Sequence, residues 1–227
     1  MARIRSFATP HKGLRNVISK FSFHLGYTDF TNQTALQSLK DLGDEMFKLL
    51  NDHVHTENDH TLRHLEERVP GASAHDRHDH EKLDAIQNEL QRQVRKMTGE
   101  ESADEIHELY LKFALFQSEY LEHINEEETV TEILLQKYFT DEELINHRTE
   151  IMQKLEPNML TLWLKYVIPA QRVDESIGML AGLRANAPEV FFTNVMSTIK
   201  GEMEQERYEE LERKLLLPLK ITNKDTK

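Results

Sequence analysis

No cysteine occurs in the 227 residues, which excludes disulfides, thiolate zinc sites, cysteine-held iron–sulfur clusters and a cysteine nucleophile together. A metal, if there is one, has only nitrogen and oxygen donors to bind it. Glycine and proline are also scarce, at 8 and 6 residues, so few points break a helical pattern. No apolar run approaches the roughly 18 residues that span a bilayer, and the N-terminus has no apolar signal-peptide core. Positive charge is in deficit: 28 Lys+Arg against 40 Asp+Glu give −12, and without a basic stripe the phosphate-neutralising term of nucleic-acid binding is missing. These absences predict a cytoplasmic protein with neither nucleic acid nor membrane as partner. Residues 1–28 carry five basic residues and no acid before Asp29. They resemble a transit peptide, but they also hold His11, which the site below requires.

Histidine is what the chain has in excess, with 12 residues, and its placement depends on the helices. Apolar residues recur at steps of three and four throughout, and the length suffices for one domain with an appendage. Thr9-Pro10 is read as an N-cap and first helical position, opening a helix to about Gly26 with His11, Leu14, Ile18, Phe21 and Leu25 as its stripe. A second helix runs to about Arg68, with Leu39, Leu42, Met46, His53 and Glu57 on one face. The third, about Ala74 to Met97, carries His80, Leu83, Leu90 and Val94. The fourth starts near Ser102 and reads Leu109, Phe113, Phe116, Tyr120, His123, Glu127 in heptad-like steps. No internal repeat is evident in the wording of the sequence.

Four amphipathic helices with short connections predict an all-α, up-down-up-down four-helix bundle over residues 1–138. Alternate helices run oppositely, so the starts of the first and third share an end with the finishes of the second and fourth. His11, His53, Glu57, His80, His123 and Glu127 therefore fall in one layer. Burying six such groups without partners costs several kcal/mol, and a metal pair compensates. Imidazole and carboxylate suit iron, manganese or zinc. A glutamate one turn after a histidine sits about 6 Å away on the same face, placed to bridge two ions roughly 3.5–4 Å apart.

The ordered set of one histidine, then His-x3-Glu, another histidine, then His-x3-Glu on four successive helices resembles the hemerythrin-like (HHE cation-binding) family. The wording "HKGLR", "HVHTEND", "DHEKL" and "HINEEE" agrees with it, and the likeness is nearest to the hemerythrin-like domains of iron-sensing ubiquitin ligases and their bacterial relatives. Ubiquitin transfer is not implied, because the zinc modules of such ligases need cysteine. The resemblance implies two non-haem irons bridged by carboxylates, with zinc or manganese as substitutes. His11 and His53 would serve one ion, His80 and His123 the other, and Glu57 and Glu127 would bridge. The oxygen carriers of the family have a second histidine one turn before the position of His80, and here that position is Asp76. Either Asp76 ligates or one ion has an open position, which favours sensing or redox chemistry over reversible oxygen carriage. His60 and His75 are lower-ranked candidates for ligation or for support of a ligand.

Thr140-x-x-Glu143 is a capping box, and Pro157, Pro169 and Pro188 punctuate three further helices in an extension over 139–217, followed by a polar tail, 218–227. The segment Met159–Ile168 is apolar nearly all round, which predicts burial on the bundle or in a homodimer. The sequence thus supports a di-iron protein that binds or senses oxygen, iron or redox state. Two alternatives stand beside it: a di-iron enzyme reducing peroxide or another small oxidant, and a metal-free helical interaction protein.

Overall fold

The computed structural model describes residues 3–216, so the tail expected over 218–227 lies outside the described residues. Helices account for nearly all of it, with no strand among the described residues, and no described helix is long and apolar enough to cross a membrane. Helix α1 spans Ala8–Tyr27, and α3 spans Ala74–Lys96. Helix α2 runs Gln33–Thr56, passes through a π-helical turn Glu57–Thr61 and continues as Leu62–Arg68. Helix α4 repeats that plan with Ala103–Glu126, a π-turn Glu127–Thr131 and Glu132–Tyr138. Each of these four packs on the next and α1 closes on α4, which gives the expected bundle.

Local chemistry explains the boundaries. The Ser102 hydroxyl accepts the Glu105 N–H, and the Glu105 carboxylate accepts the Ser102 N–H, starting α4. Thr140 and Glu143 do the same for α5, Asp141–Lys154. Helix α3 stops before Gly99, whose φ of 92° is left-handed and where a Cβ would lie 2.6 Å from the Phe30 carbonyl oxygen; only glycine fits there.

The start of α1 differs from the sequence reading. Thr9 is not the cap, because the helix begins at Ala8 and Phe7 caps it without a side-chain bond. The Glu132 carboxylate of α4 accepts the N–H groups of Ser6, at 2.7 Å, and Phe7, at 3.2 Å, instead. Pro10 costs nothing at the third helical position, since first-turn N–H groups have no intrahelical acceptor.

The extension holds α5, then α6 (Pro157–Ala170), α7 (Val173–Asn186), α8 (Glu189–Lys200) and α9 (Gln205–Leu215). Four helices therefore follow α5 where three were expected. The fourth, α9, follows Glu204 and needs no proline to start it. Arg207 of α9 donates to the Pro169 carbonyl at 2.6 Å and also to that of Gln171, which closes the end of α6.

Helix α6 is the hinge of the assembly. One face lies along α1, where Tyr166 joins the bundle core and Asn16 donates to the Tyr166 carbonyl at 2.9 Å. Trp163 Nε1 donates to Asp52 at 2.6 Å. The other face, Leu164 and Ile168, joins a second core with Leu180, Phe192, Val195 and Ile199. Contact with α1 is so close that a Cβ on Gly13 would stand 2.5 Å from Val167 Cγ2 and 3.2 Å from its Cα.

Gly13→Val should therefore cost about 1–3 kcal/mol by overpacking and shift Trp163 emission to the red as α6 lifts. Gly178→Ala, in α7 with nothing within 4 Å of its Cβ, should instead be neutral or stabilise by up to about 1 kcal/mol. Chemical denaturation midpoints of the two variants check both signs.

Candidate metal centre

Two apolar clusters bracket a polar layer. On one side lie Phe113, Phe116, Tyr120 and Leu50 of the main core, and on the other Phe7, Leu65, Leu135, Phe139 and Leu144. Between them the stripes of α1 to α4 bring together His11, His53, Glu57, His80, His123 and Glu127, all buried. Donor atoms of His53, Glu57, His80, His123 and Glu127 fall within 4.8 Å of one another, a grouping that can hold a metal ion. His11 joins through its Nε2, 3.5 Å from Glu57 Oε1 and 3.4 Å from Glu127 Oε2.

Glu127 divides its two oxygens between the histidine pairs. Its Oε2 lies 3.4 Å from His11 and 3.8 Å from His53, and its Oε1 3.5 Å from both His80 and His123. Glu57 spans the same pairs, with Oε1 toward His11 and Oε2 3.4 Å from His53 and 3.5 Å from His80. These separations exceed the roughly 2.7–3.2 Å of a hydrogen bond. They suit two donors on one ion, since bonds of about 2.0–2.2 Å at tetrahedral angles place ligand atoms roughly 3.4 Å apart. Nε2 of all four histidines, both oxygens of Glu127 and Oε2 of Glu57 are buried without a hydrogen-bond partner. Native interiors seldom leave even one such atom orphaned.

Two of the second nitrogens are held from behind. His11 Nδ1 hydrogen-bonds Glu128 Oε1 at 3.0 Å, and Arg15 donates to the same oxygen. His80 Nδ1 hydrogen-bonds Asn58 Oδ1 at 3.2 Å. Such acceptors put the proton on Nδ1 and turn the Nε2 lone pair inward. The sequence reading missed Glu128 and Asn58, although each directly follows a glutamate of the layer. Tyr120 completes the floor, its ring 6.3 Å from that of His53 and 6.1 Å from that of His123, its hydroxyl buried and unpartnered. Burial, with Glu57 and Glu127 nearby, holds that phenol protonated far above its ordinary range.

Both π-turns begin at a glutamate of the layer. His123, Glu127 and the second π-turn follow His53, Glu57 and the first by 70 residues each, 53 to 123 and 57 to 127. The repeat absent from the wording is present in the architecture, and π-turns concentrate at functional sites.

The lower-ranked residues fall outside the group of buried donor atoms that come within 4.8 Å of one another. Asp76 is buried one turn before His80, but its Oδ2 accepts the Thr131 hydroxyl at 2.8 Å. Burial first, then Glu127 and Glu57, raise its carboxyl to about 6. His60 is buried against α5, its Nε2 3.4 Å from Lys154 Nζ, because the π-turn rotates it off the stripe. His75 is exposed beside Asp79 and Glu126, at 3.5 Å and 3.1 Å. His64 and His147 stack with centroids 4.0 Å apart.

Among known proteins the chain is similar to F-box/LRR-repeat protein 5. Identity is 24% over 147 residues for Xenopus laevis and 28% over 151 for Danio rerio, each match covering 64% of this chain. The chain spans about a fifth of the length of these curated relatives, 21% in each case. No family model and no solved structure matches it.

Metal-stripped protein should balance the layer with protons. Burial opposes charge on every ring, yet Glu128 and Glu57 outweigh it at His11, raising it to about 9, and Glu127 and Glu57 do so at His80, to about 10. Burial drives His53 and His123 down, and His11 and His80 pull Glu57 to about 2 against its own burial. Raised imidazoles stabilise the fold fully below their ordinary value near 6.5 and lose that contribution as pH rises through the folded values. Urea midpoints of chelator-treated protein should fall between about pH 7.5 and about pH 11, more steeply than in His80→Phe.

Proposed function

We propose that the layer is a carboxylate-bridged, non-haem di-iron centre and that the chain is a hemerythrin-like protein binding oxygen or responding to iron and redox state. The observation that carries this reading is the set of seven inward, buried, unpartnered donor atoms on four histidines and two glutamates. An interior with neither a metal nor shared protons would leave those atoms unsatisfied at several kcal/mol. The ordered histidine and glutamate pattern supports the family, and the all-nitrogen-and-oxygen donor set supports iron, with manganese and zinc as substitutes.

In this reading His11 with His53, and His80 with His123, would each hold one ion, and Glu57 and Glu127 would serve both. A di-iron pair supplies a redox-active, oxygen-reactive centre. Glu128 and Asn58 orient the rings of His11 and His80. Tyr120 keeps its proton and offers a hydroxyl donor at the floor of the site. The two apolar clusters exclude water and keep the local dielectric low, which strengthens every charge interaction inside. Asp76, tied to Thr131, stays outside the assigned ligands, consistent with sensing or small-oxidant chemistry rather than reversible oxygen carriage.

Protein purified without a histidine tag should carry about two irons per chain, with near-ultraviolet absorption that bleaches on anaerobic reduction. Glu57→Ala combined with Glu127→Ala should lower bound metal to below a tenth while the far-ultraviolet circular dichroism stays helical. Tyr120→Phe should keep the metal and alter the spectrum on re-aeration. An absence of metal after reconstitution with ferrous iron, or the double variant binding as the parent does, would overturn the reading in favour of a metal-free interaction protein.

A further inference from the structure

A cavity of about 500 Å3 separates the site end of the bundle from a roof made by α5, α6 and α7. Its walls are apolar, with Ile151 and Leu155 from α5, Trp163 and Val167 from α6, and Met179 and Leu183 from α7. Its floor is the start of α1 together with α2, where the cavity reaches His53 and Glu57. The cavity volume falls within the roughly 300–1,000 Å3 of sites that take drug-sized molecules, which are likewise mainly apolar with a few convergent polar groups.

Charge narrows the occupant. The acids lining the cavity are Asp52 and Glu57, and Asp52 is already bonded by Trp163. The guanidinium in its wall, Arg148, donates to the Arg5 carbonyl at 3.1 Å. At the floor the charged groups of the lining are the carboxylates of Asp52 and Glu57, which disfavour an anionic head group there. We infer that the cavity binds an uncharged apolar small molecule and presents it to the His53–Glu57 side of the layer. The presentation to a metal rests on the function proposed above, whereas the binding is a property of the cavity alone.

Trp163 is the only tryptophan in the chain and lines the cavity, so its emission reports occupancy. Nile red, an uncharged apolar fluorophore, would be titrated into both iron-loaded and chelator-treated protein, with iron content measured in parallel. Saturable one-to-one binding with quenching of Trp163 is expected in both forms. Gly182 lies in the lining with nothing within 4 Å of its Cβ, so Gly182→Phe adds a ring there without a backbone clash. That variant, and separately Leu183→Asp, should weaken dye binding at least tenfold while the iron content and helicity hold. Dodecanol should displace the dye at least tenfold better than dodecanoate. Failure of the unsubstituted protein to quench saturably, full binding by both variants, or equal displacement by the anion would overturn the inference. Dye binding without iron would sink the metal reading alone, and iron without dye binding would sink the cavity alone.

Discussion

Six ionisable side chains must be buried in one layer, and the rest of the molecule is arranged around that constraint. Imidazole and carboxylate lose their hydration there, and the inward atoms find no replacement among the protein's own groups. The cost is tolerable only if the groups compensate one another through something they share, an ion or a set of protons. Everything that touches the layer serves to fix its geometry: Glu128 and Asn58 behind two of the rings, Phe7 stacked on His11 with centroids 5.3 Å apart, and Tyr120 beneath. An arrangement this specific does not arise from hydrophobic patterning, which is indifferent to whether a stripe position is leucine or histidine.

The bundle and the convergence of its polar residues were legible in the sequence, because both depend on periodicity. Stripes at steps of three and four identify the inward face, and alternation of direction then sorts inward residues by end. What periodicity could not reveal falls into two kinds. Contacts between distant segments leave no local trace: Glu132 caps α1 from another helix, so Thr9-Pro10 looked like a start it does not make. Departures from the α-helical period mislead as well. His60 is on the stripe if the helix is regular and off it once the π-turn intervenes, and a π-turn has no composition of its own. Glu128 has no periodic signal of its own in "HINEEE", and its bond to His11 Nδ1 joins residues 117 positions apart.

The extension is tied into the bundle rather than appended to it. Helix α6 shares Tyr166 with one core and Ile168 with another, so the apolar segment that suggested a dimer face is covered on two sides by its own chain. The cavity meets the layer at His53 and Glu57 but not at His80, His123 or Asp76. Asp76 drew attention in the sequence as the more open half. The structure gives the opening to the other half.

The π-turns also determine how the chain can change its length. Each residue added to a helix rotates everything beyond it by about 100°. The extra residue in Glu57–Thr61 and in Glu127–Thr131 is what aims Leu65 and Leu135 into the cluster that closes the layer. Deleting one residue from either turn would leave both His-x3-Glu pairs intact and still turn that cover aside. The connections after α1, α2 and α3 carry no such burden, because nothing beyond them depends on a helical phase set before. Insertions between helices leave that phase untouched and insertions within the turns do not, so the spacing from each glutamate to the leucine eight residues on is as much a part of the site as the histidines.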